Sequence, residues 1–380
     1  MKESGLYIHI PFCRSKCLYC DFYAGGERIV NWKEMISSLL NELKERSNEL
    51  ITPPTTLYIG GGTPSLIPDS QLFELIEGIS SIYGISNWGE FTIEVNPEDV
   101  TFQKIKTWVK AGINRISLGV QTLNDNELKA IHRNHDASTA KKSIELLLNN
   151  FNNVSVDVMF GLPEQTLNSY QRSLQEICDY QPTHISSYSL MLEKGTAMTL
   201  LVSQNKIKLP NEEEWLSMFN YTHYYLKEKG YIRYEISNYA LPGYESKHNN
   251  FYWKGNPYLG LGPAAHSYDG KLIRRFNPAD IKGYIHRFSN MESLYKTNFF
   301  DEEKLSNNEI KEEFIMTRLR TIDGISLKEY NDKFGEKEKI NLLQKARYFI
   351  DSGALKEENE KLSFTESGFL ISDTVLSTLF

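Results

Sequence analysis

Short apolar segments alternate with amphipathic segments along the first two hundred residues. The apolar segments have the length of strands and predict strands at 6–10, 56–60, 90–95, 115–119, 154–160 and 184–189. The amphipathic segments have helical spacing and predict helices at 32–50, 69–83, 101–111, 138–150 and 169–180. Such alternation predicts parallel strands joined by right-handed helical crossovers. The expected α/β fold is therefore an open, incomplete barrel or a doubly wound sheet.

The pattern changes after residue 230. A helical segment at 212–229 ends the first region, and an aromatic-rich stretch follows at 231–268. The stretch 271–300 is interpreted as a connector. Beyond it, the spacing predicts helices at 307–319, 327–334 and 338–352, a short hairpin at 355–365 and a last helix. We therefore expect three parts, at 1–230, 231–300 and 301–380, the last of them winged-helix-like.

Composition narrows the class of protein. The 380 residues suggest two or three domains, and 40% apolar and 24% charged residues are ordinary for a globular chain. The net charge of −7 argues against a protein that binds nucleic acid, because such binding depends on clustered positive charge. No apolar run approaches a membrane span, and the first residues lack the regions of a signal peptide. The expected location is the cytoplasm.

Three of the four cysteines lie close together, as Cys13-x3-Cys17-x2-Cys20. This spacing lets one loop supply three thiolates to one metal centre, as in a [4Fe-4S] cluster. The fourth iron then has no protein ligand and can chelate a substrate or cofactor. The residues leave open a zinc site with His9 as a fourth ligand, or free thiols. Cys178 lies in a helical pattern and is interpreted as a buried apolar residue.

Other polar motifs follow the predicted strands. The glycine-rich segment 60–64 follows the second strand, Glu94 ends the third, Gln121 follows the fourth, and Asp157 interrupts the fifth. Because the carboxyl ends of parallel strands meet at one rim, these segments and the cysteine loop are expected to converge there. A tight turn and solvated strand ends are the alternatives. A carboxylate buried at Glu94 or Asp157 would need a partner, such as a ribose diol or an ammonium group.

The cysteine motif, with Tyr19 before its last cysteine, resembles the signature of radical S-adenosylmethionine (SAM) enzymes. The whole chain resembles the oxygen-independent coproporphyrinogen III oxidase group through the ordered segments YIHIPFCRSKCLYCDFY, GGGTPS, IEVNPE, RISLGVQT, DVMFGLPEQT and GLGPAAHSY. The resemblance implies an incomplete (β/α)6 TIM-like barrel with a smaller, helical, winged-helix-like C-terminal domain. It also implies a cluster on Cys13, Cys17 and Cys20. The implied SAM contacts are Tyr7, Gly61, Gly62, Thr63, Glu94, Gln121, Arg133 and Asp157, with Tyr19 and the loop 264–266 as weaker ones.

Within that group the chain is similar to the haem chaperone branch, HemW. The oxidase has a further cysteine two positions after the triplet, where this chain has Phe22, and only twelve residues precede Cys13. The segment 248–253 (HNNFYW) matches that branch's His-Asn-x-x-Tyr-Trp motif, which implies that His248 contacts haem. Histidine is a common axial ligand of haem iron. On residue type alone, a histidine packed among aromatic rings is the alternative.

The resemblance therefore implies a haem chaperone that binds a [4Fe-4S] cluster, SAM and haem and delivers haem to apo-haemoproteins. The alternatives are a coproporphyrinogen III dehydrogenase that makes protoporphyrinogen IX, and a radical SAM enzyme on another substrate. Whether the chain has enzymatic activity is left open, as are a homodimer and a transient contact with a membrane. The fold cannot separate these functions.

Overall fold

The computed structural model describes residues 2–26, 31–289 and 299–380. Its strands are β1 (Gly5–Ile10), β2 (Phe12–Cys13), β3 (Gly25–Gly26), β4 (Thr56–Gly61), β5 (Glu90–Val95), β6 (Arg115–Gln121), β7 (Val154–Phe160), β8 (His184–Ser189), β9 (Ile232–Arg233), β10 (Asn238–Ala240), β11 (Tyr258–Leu261), β12 (His266–Tyr268), β13 (Ile273–Phe276), β14 (Asp301–Lys304), β15 (Ile325–Ser326), β16 (Leu355–Glu358) and β17 (Lys361–Phe364).

Its α-helices alternate with these strands in the first region and dominate the last. They are α1 (Trp32–Arg46), α2 (Asp69–Tyr83), α3 (Phe102–Lys110), α4 (Asp125–Ala130), α5 (Ala137–Leu148), α6 (Leu167–Asp179), α7 (Ala197–Ser203), α8 (Glu212–Glu228), α9 (Lys247–Trp253), α10 (Ile281–Ser289), α11 (Asn307–Leu319), α12 (Leu327–Phe334), α13 (Glu336–Asp351) and α14 (Ser372–Leu379).

Twelve strands form one open sheet, in the order β14-β13-β12-β11-β1-β4-β5-β6-β7-β8-β10-β9. The seven strands from β11 to β8 in that order are all parallel to their neighbours. The remaining strands pair antiparallel at both edges. All six strands expected from the sequence are present within two residues of their expected bounds. The expected incomplete barrel is confirmed.

The prediction missed one parallel strand. β11 pairs with β1 on the side away from β4, so the parallel part has seven strands rather than six. β11 is only four residues long and has glycine on one of its positions, which is too short for a periodic signal. The expected connector 271–300 was wrong in part, because it contains β13 and α10, and α10 packs against α1. The main sheet thus continues past residue 230, and the division into three parts stays a prediction.

The two faces of the barrel strands differ in chemistry. On β6, Ile116, Leu118 and Val120 are fully buried and face the surrounding helices. The alternate residues, Arg115, Ser117 and Gly119, face the barrel interior and line a cavity. Closed barrels fill this space with branched apolar side chains. Here the interior is polar instead, which leaves room for a ligand.

The C-terminal segment has its own apolar core, formed by residues between Phe314 and Leu379. Three helices precede the hairpin of β16 and β17, and α14 follows it, in the order expected from the sequence. The segment contacts the barrel region through several hydrogen bonds, ion pairs and ring contacts, including the following two. Arg318 Nη1 donates to the carbonyl of Trp253 at 2.6 Å, and the Arg233 guanidinium lies 4.3 Å above the Phe369 ring.

Candidate functional site

A cavity of about 510 Å³ opens at the carboxyl ends of the parallel strands and extends into the barrel. The cysteine loop, the glycine loop and the ends of β5 to β8 all contribute to its wall. Its lining includes Cys13, Cys17, Tyr19, Cys20, Gly61, Gly62, Thr63, Glu94, Gln121, Arg133 and Asp157. The structure therefore brings together the five chain segments that the sequence placed at one rim.

The cysteine loop presents three free, half-buried thiols to this cavity. Its backbone is anchored on both sides: the Leu18 N–H donates to Ile131 O at 3.4 Å, and the Met198 N–H donates to Leu18 O at 2.9 Å. Within the described residues, no three His, Cys, Asp or Glu side chains are grouped as they would be around a single metal ion. A cubane cluster instead presents each thiolate to a different iron. The loop fits a cluster in donor chemistry and in its access to the cavity.

Burial raises the pKa of two of these thiols. The pKa of Cys13 lies above its usual value, and that of Cys20 rises to about 11. Burial thus outweighs the nearby positive charges of Arg133 and Lys16 and holds both thiols protonated. Metal ligation requires the thiolate, so iron must displace these protons. Arg133 supports the third thiol, because its Nη1 lies 3.5 Å from Cys17 Sγ.

Arg133 joins three parts of the site. Its Nη2 donates to Asn96 Oδ1 at 2.8 Å and to the carbonyl of Gly119 at 2.6 Å. It therefore ties the cysteine loop to the ends of β5 and β6. The Nε atom is buried without a hydrogen-bond partner among the described residues, so the guanidinium keeps donor capacity at the cavity wall.

The glycine loop has a packing role that the sequence did not reveal. A Cβ on Gly62 would lie 2.6 Å from Phe12 O and 2.9 Å from Ile10 O, closer than side chains tolerate. Gly61 adopts φ 110° and donates its N–H to Glu94 Oε2 at 2.9 Å. These glycines let the loop after β4 lie directly against the end of β1. Thr63, next in the chain, is buried and lines the cavity.

Glu94 and Asp157 lie inside the barrel with neutral donors around them. Tyr58 donates to Glu94 Oε1 at 2.9 Å, and Ser117 donates to Asp157 Oδ2 at 2.9 Å. Burial, opposed by these hydrogen bonds, raises the pKa of Glu94 to about 7 and that of Asp157 above its usual value. Neither carboxylate has a salt bridge in the described structure. Their remaining lone pairs face the cavity, where a cation or hydroxyl group can bind.

Gln121 occupies a strained backbone position. Its φ is 69°, in the left-handed region, and the pairing of β6 with β7 shifts register between Gly119 and Gln121. A bulge of this kind re-aims a side chain at the end of a strand. Here it accompanies a Gln121 side chain that lines the cavity.

The two tyrosines predicted as contacts are placed differently. Tyr19 lines the cavity. Tyr7 does not line it; its hydroxyl pairs with His9 Nδ1 at 3.0 Å, and its ring centroid lies 6.1 Å from that of Tyr58. His9 also pairs through Nε2 with the carbonyl of Tyr23 at 3.0 Å. The loop 264–266 likewise lies outside the cavity lining.

His248 lies at the opposite end of the barrel from the cysteine loop. It belongs to α9, whose N-terminus is held by Glu90 at the start of β5. The ring is buried; Nδ1 pairs with Thr56 Oγ1 at 2.8 Å and Nε2 with the Tyr252 hydroxyl at 2.9 Å. Burial lowers the pKa of His248 to about 3, so the ring is neutral. In this conformation neither nitrogen can reach an iron, although the neighbouring Asn249 lines the cavity.

Sequence reasoning missed several cavity residues, among them Tyr58, Asn96, Arg115, Ser117, Ser186 and Tyr188. A signal for most of them was present. Polar residues recur at alternate positions of the central strands, as Arg115 and Ser117 do on β6 and His184 and Ser186 do on β8. Alternate positions of a strand share one face, so this pattern indicates a polar barrel interior. Arg115 is the most unusual member, because it is 2% exposed and makes no hydrogen bond or ion pair with a described residue.

Known proteins agree with this architecture. The sequence profile of the radical SAM superfamily matches residues 7–177, and the profile of the HemN C-terminal domain matches residues 305–371. The crystal structure of coproporphyrinogen III oxidase (HemN) from Escherichia coli superposes with a TM-score of 0.83 at 20% identity, covering 100% of this chain and 90% of that one. The fold and the profile define a radical SAM protein.

Relatives that match along nearly their full length show which family of radical SAM proteins the chain resembles. The heme chaperone HemW of Buchnera aphidicola (from Schizaphis graminum) is 34% identical, covering 98% of this chain and 97% of the relative. The heme chaperone HemW of Bacillus subtilis is 32% identical, covering 97% of each chain. The chain belongs to the HemW family. Among the helices that the structure describes, none is long and apolar enough to span a membrane.

Proposed function

We propose that this protein is a cytoplasmic haem chaperone, which binds haem and delivers it to apo-haemoproteins. The likeness to heme chaperones along nearly the whole chain carries this proposal. The proposal also includes a [4Fe-4S] cluster and SAM in the barrel cavity. Three thiols, a buried arginine and two buried carboxylates open into that one cavity, which supports both ligands.

The cluster would be held by Cys13, Cys17 and Cys20. When bound, it leaves one iron open to chelate SAM, whose reductive cleavage supplies radical chemistry in this superfamily. The protein orients this centre through Arg133, which fixes Cys17 relative to the ends of β5 and β6. The loop anchors at Leu18 keep the three thiols on one side of the cavity.

SAM would occupy the polar part of the cavity. The residues proposed to contact it are Tyr7, Tyr19, Gly61, Gly62, Thr63, Glu94, Gln121, Arg133 and Asp157. The buried carboxylates Glu94 and Asp157 suit a cationic ligand with hydroxyl groups, because each has lone pairs that its neutral donors leave unused. Tyr7 does not line the cavity, so it would influence SAM indirectly, through its contact with the Tyr58 ring.

The haem contact at His248 stays a prediction. For His248 to ligate iron, the ring must leave both Thr56 and Tyr252 and move out of a fully enclosed position. A haem titration of His248→Ala, followed at the Soret band, tests this. Loss of binding in that variant supports the contact, and affinity equal to that of the wild type removes it.

A cluster-ligand variant tests the proposed metal site. Cys17→Ser should lose the cluster, because a hydroxyl is a poor ligand for iron where a thiolate is expected. Iron and inorganic sulfide should fall together after anaerobic reconstitution. Cys178→Ser is the matched control, since Cys178 is buried in α6 and faces no part of the cavity. Full iron and sulfide content in Cys17→Ser would contradict the assignment.

One reconstituted sample separates the functions. Haem titration and transfer of that haem to an apo-haemoprotein test the chaperone. Anaerobic incubation with coproporphyrinogen III, SAM and dithionite tests the dehydrogenase, with protoporphyrinogen IX as its product. We expect haem binding and transfer without porphyrinogen turnover. Formation of 5′-deoxyadenosine without porphyrin turnover would indicate a radical enzyme that acts on another substrate.

A further inference from the structure

Exposed apolar side chains gather at the mouth of the cavity. Phe22, from the end of the cysteine loop, is 60% exposed, and Met191, after β8, is 63% exposed. Both line the cavity, and Leu192, next to Met191, is 43% exposed. Exposed apolar residues elsewhere, such as Ile51 and Phe102, lie far apart in sequence and outside the cavity lining. We call Phe22 and Met191 the mouth patch.

The residues behind the mouth patch are well packed. They form a small apolar core, which packs against Leu18 and Tyr19 of the cysteine loop and consists of Ile131, Met159, Leu162, Leu190 and Met198. The loop is also joined to α7 through the hydrogen bond from Met198 N–H to Leu18 O. Neither Phe22 nor Met191 belongs to this core. Their exposure is therefore not that of a loosely packed interior, and exposed apolar groups arranged around a cavity mark a binding surface.

The polarity of the cavity decides where a flat apolar ligand can lie. Its inner wall carries Glu94, Arg115, Ser117 and Asp157, and burying an apolar macrocycle against these groups would leave them without partners. The His248 ring, at the far end of the barrel, is enclosed and does not line the cavity. The mouth combines aromatic and thioether groups, which suit the face or edge of a macrocycle.

Charge at the rim favours an acidic ligand on one side. Lys16 lines the cavity, is exposed, and has no ion pair in the described parts of the chain. Asp21 and Glu193 lie on the same rim, so a carboxylate would be received at Lys16 and excluded from the other two positions. Haem, with two apolar faces and two carboxylates at one edge, has this distribution.

Resting on the haem-chaperone proposal, we propose that haem docks across the mouth of the cavity, on Phe22 and Met191, with a propionate at Lys16. Haem then lies above the site proposed for the cluster and SAM. In this position Phe22 supplies contact area for haem, at the place where the related oxidase has a further cysteine.

The test compares two double variants of the reconstituted protein by haem titration. Phe22→Ser/Met191→Ser should bind haem about a hundred-fold more weakly, since each lost side chain removes about a ten-fold contribution of apolar contact. The control, Phe102→Ser/Ile51→Ser, removes exposed apolar groups from outside the cavity and should bind as the wild type does. Iron, sulfide and SAM affinity, measured on every variant, exclude a misassembled site.

Two single variants sharpen the result. Met191→Leu should retain affinity, because it keeps the apolar area; a loss of about ten-fold, equal to the share expected of Met191 in the double variant, would overturn apolar contact at Met191 as the basis of docking. Lys16→Gln should bind about three-fold more weakly, and unchanged affinity would overturn the placing of the propionate.

These outcomes distinguish the proposal that haem docks at the mouth patch from the haem-chaperone proposal on which it rests. If the wild type binds no haem, the chaperone proposal fails. If the wild type binds haem and Phe22→Ser/Met191→Ser binds it equally well, the mouth patch is not the docking surface, while the chaperone proposal stands. Loss of haem in His248→Ala, with binding by the mouth variant intact, would place haem at the other end of the barrel.

Discussion

Two buried charged clusters in this molecule differ in how completely they are paired. The first lies between α1 and the strands β11 and β12. Glu42 and Arg46 there are both enclosed, and Arg46 Nη1 donates to Glu42 Oε1 at 2.7 Å. Glu42 also accepts hydrogen bonds from Gly262 N–H, Asn277 Nδ2 and the Tyr284 hydroxyl.

The second cluster lies inside the barrel. Of its members, Arg115 is 2% exposed, and Glu94 and Asp157 are half-buried at the cavity wall; the three make no ion pair with one another in the described structure. Arg115 makes no hydrogen bond with any described residue, whereas Arg46 also donates to Glu49, Gly260 O and Ser267 Oγ. A paired buried cluster fixes the chain, and an unpaired one keeps its charges for a ligand.

The difference explains what each cluster does. The first joins the long helix α1 to the loop after β11, so it fixes the position of the seventh parallel strand beside β1. The second stores unused hydrogen-bonding capacity in a cavity. Unfilled capacity of this kind costs stability, and it is tolerated where a ligand completes it.

Breaking the paired cluster should have the largest effect on stability. Arg46→Met leaves the Glu42 carboxylate buried without its cation, and we expect the free energy of unfolding to fall by about 3–5 kcal/mol. Urea unfolding followed by circular dichroism measures this. Arg347→Met is the control, because its ion pair with Asp351 is mostly exposed and should contribute less than about 1 kcal/mol. Equal losses in the two variants would show that the paired cluster is not a structural anchor.

In the unpaired cluster, removing a charge should change ligand binding instead. Glu94→Gln should bind SAM about ten-fold more weakly at pH 8, since a charged acceptor is lost. The pKa of Glu94 is about 7, so the ratio of wild-type to Glu94→Gln affinity should fall as the pH drops through 7 and Glu94 becomes protonated.

Equilibrium binding of SAM from pH 6 to pH 8.5, on both proteins in the same buffers, measures this difference. The titration of SAM itself affects both proteins equally, so it cancels in the ratio of their SAM affinities. Parallel pH profiles would remove Glu94 from the site.

The positive charge of Arg115 should affect SAM binding through its influence on the pKa of Glu94 and Asp157. Arg115→Gln removes the cation that lowers the pKa of Glu94 and Asp157, so both should be protonated at higher pH. We expect SAM affinity at pH 7 to fall about five-fold and to recover near pH 9. Arg115→Lys should restore it, because the charge is kept. The groups facing Arg115 are Tyr58, Glu94, Asp157, His184, Tyr234 and His248. An unshifted profile in Arg115→Gln would show that its charge does not reach the carboxylates.

The sequence predicted the parallel strands and the convergence at their ends, because both follow from local patterns. The six expected strands are short segments rich in apolar residues, and each motif residue lies in one of them or directly after it. β11 was missed because its four residues give no period, and its place beside β1 depends on Glu42 and Arg46, which are distant in sequence.

The placing of His248 also lay beyond the sequence. Residue type and the aromatic neighbours favour a packed ring, and only the family resemblance favours a haem ligand. The outcome depends on Thr56 and Tyr252, one of which comes from a strand almost two hundred residues earlier. The same holds for the glycine loop, whose contact with the end of β1 is a tertiary feature.

A pair of matched serines gives the smallest and most direct comparison of the clusters. Ser267 accepts hydrogen bonds from Arg46 Nη2 and Gly260 N–H, and Ser117 donates to Asp157. Ser267→Ala leaves the Gly260 N–H without this acceptor and leaves Arg46 Nη2 with Glu49 alone, and it should lower the free energy of unfolding by about 1–2 kcal/mol. Ser117→Ala leaves Asp157 with its other donors, Ser155 and Ser186, and should change stability by less than about 0.5 kcal/mol while weakening SAM binding two- to three-fold. If Ser117→Ala instead lost as much stability as Ser267→Ala and kept its SAM affinity, both clusters would be structural, and the barrel interior would not be held open for a ligand.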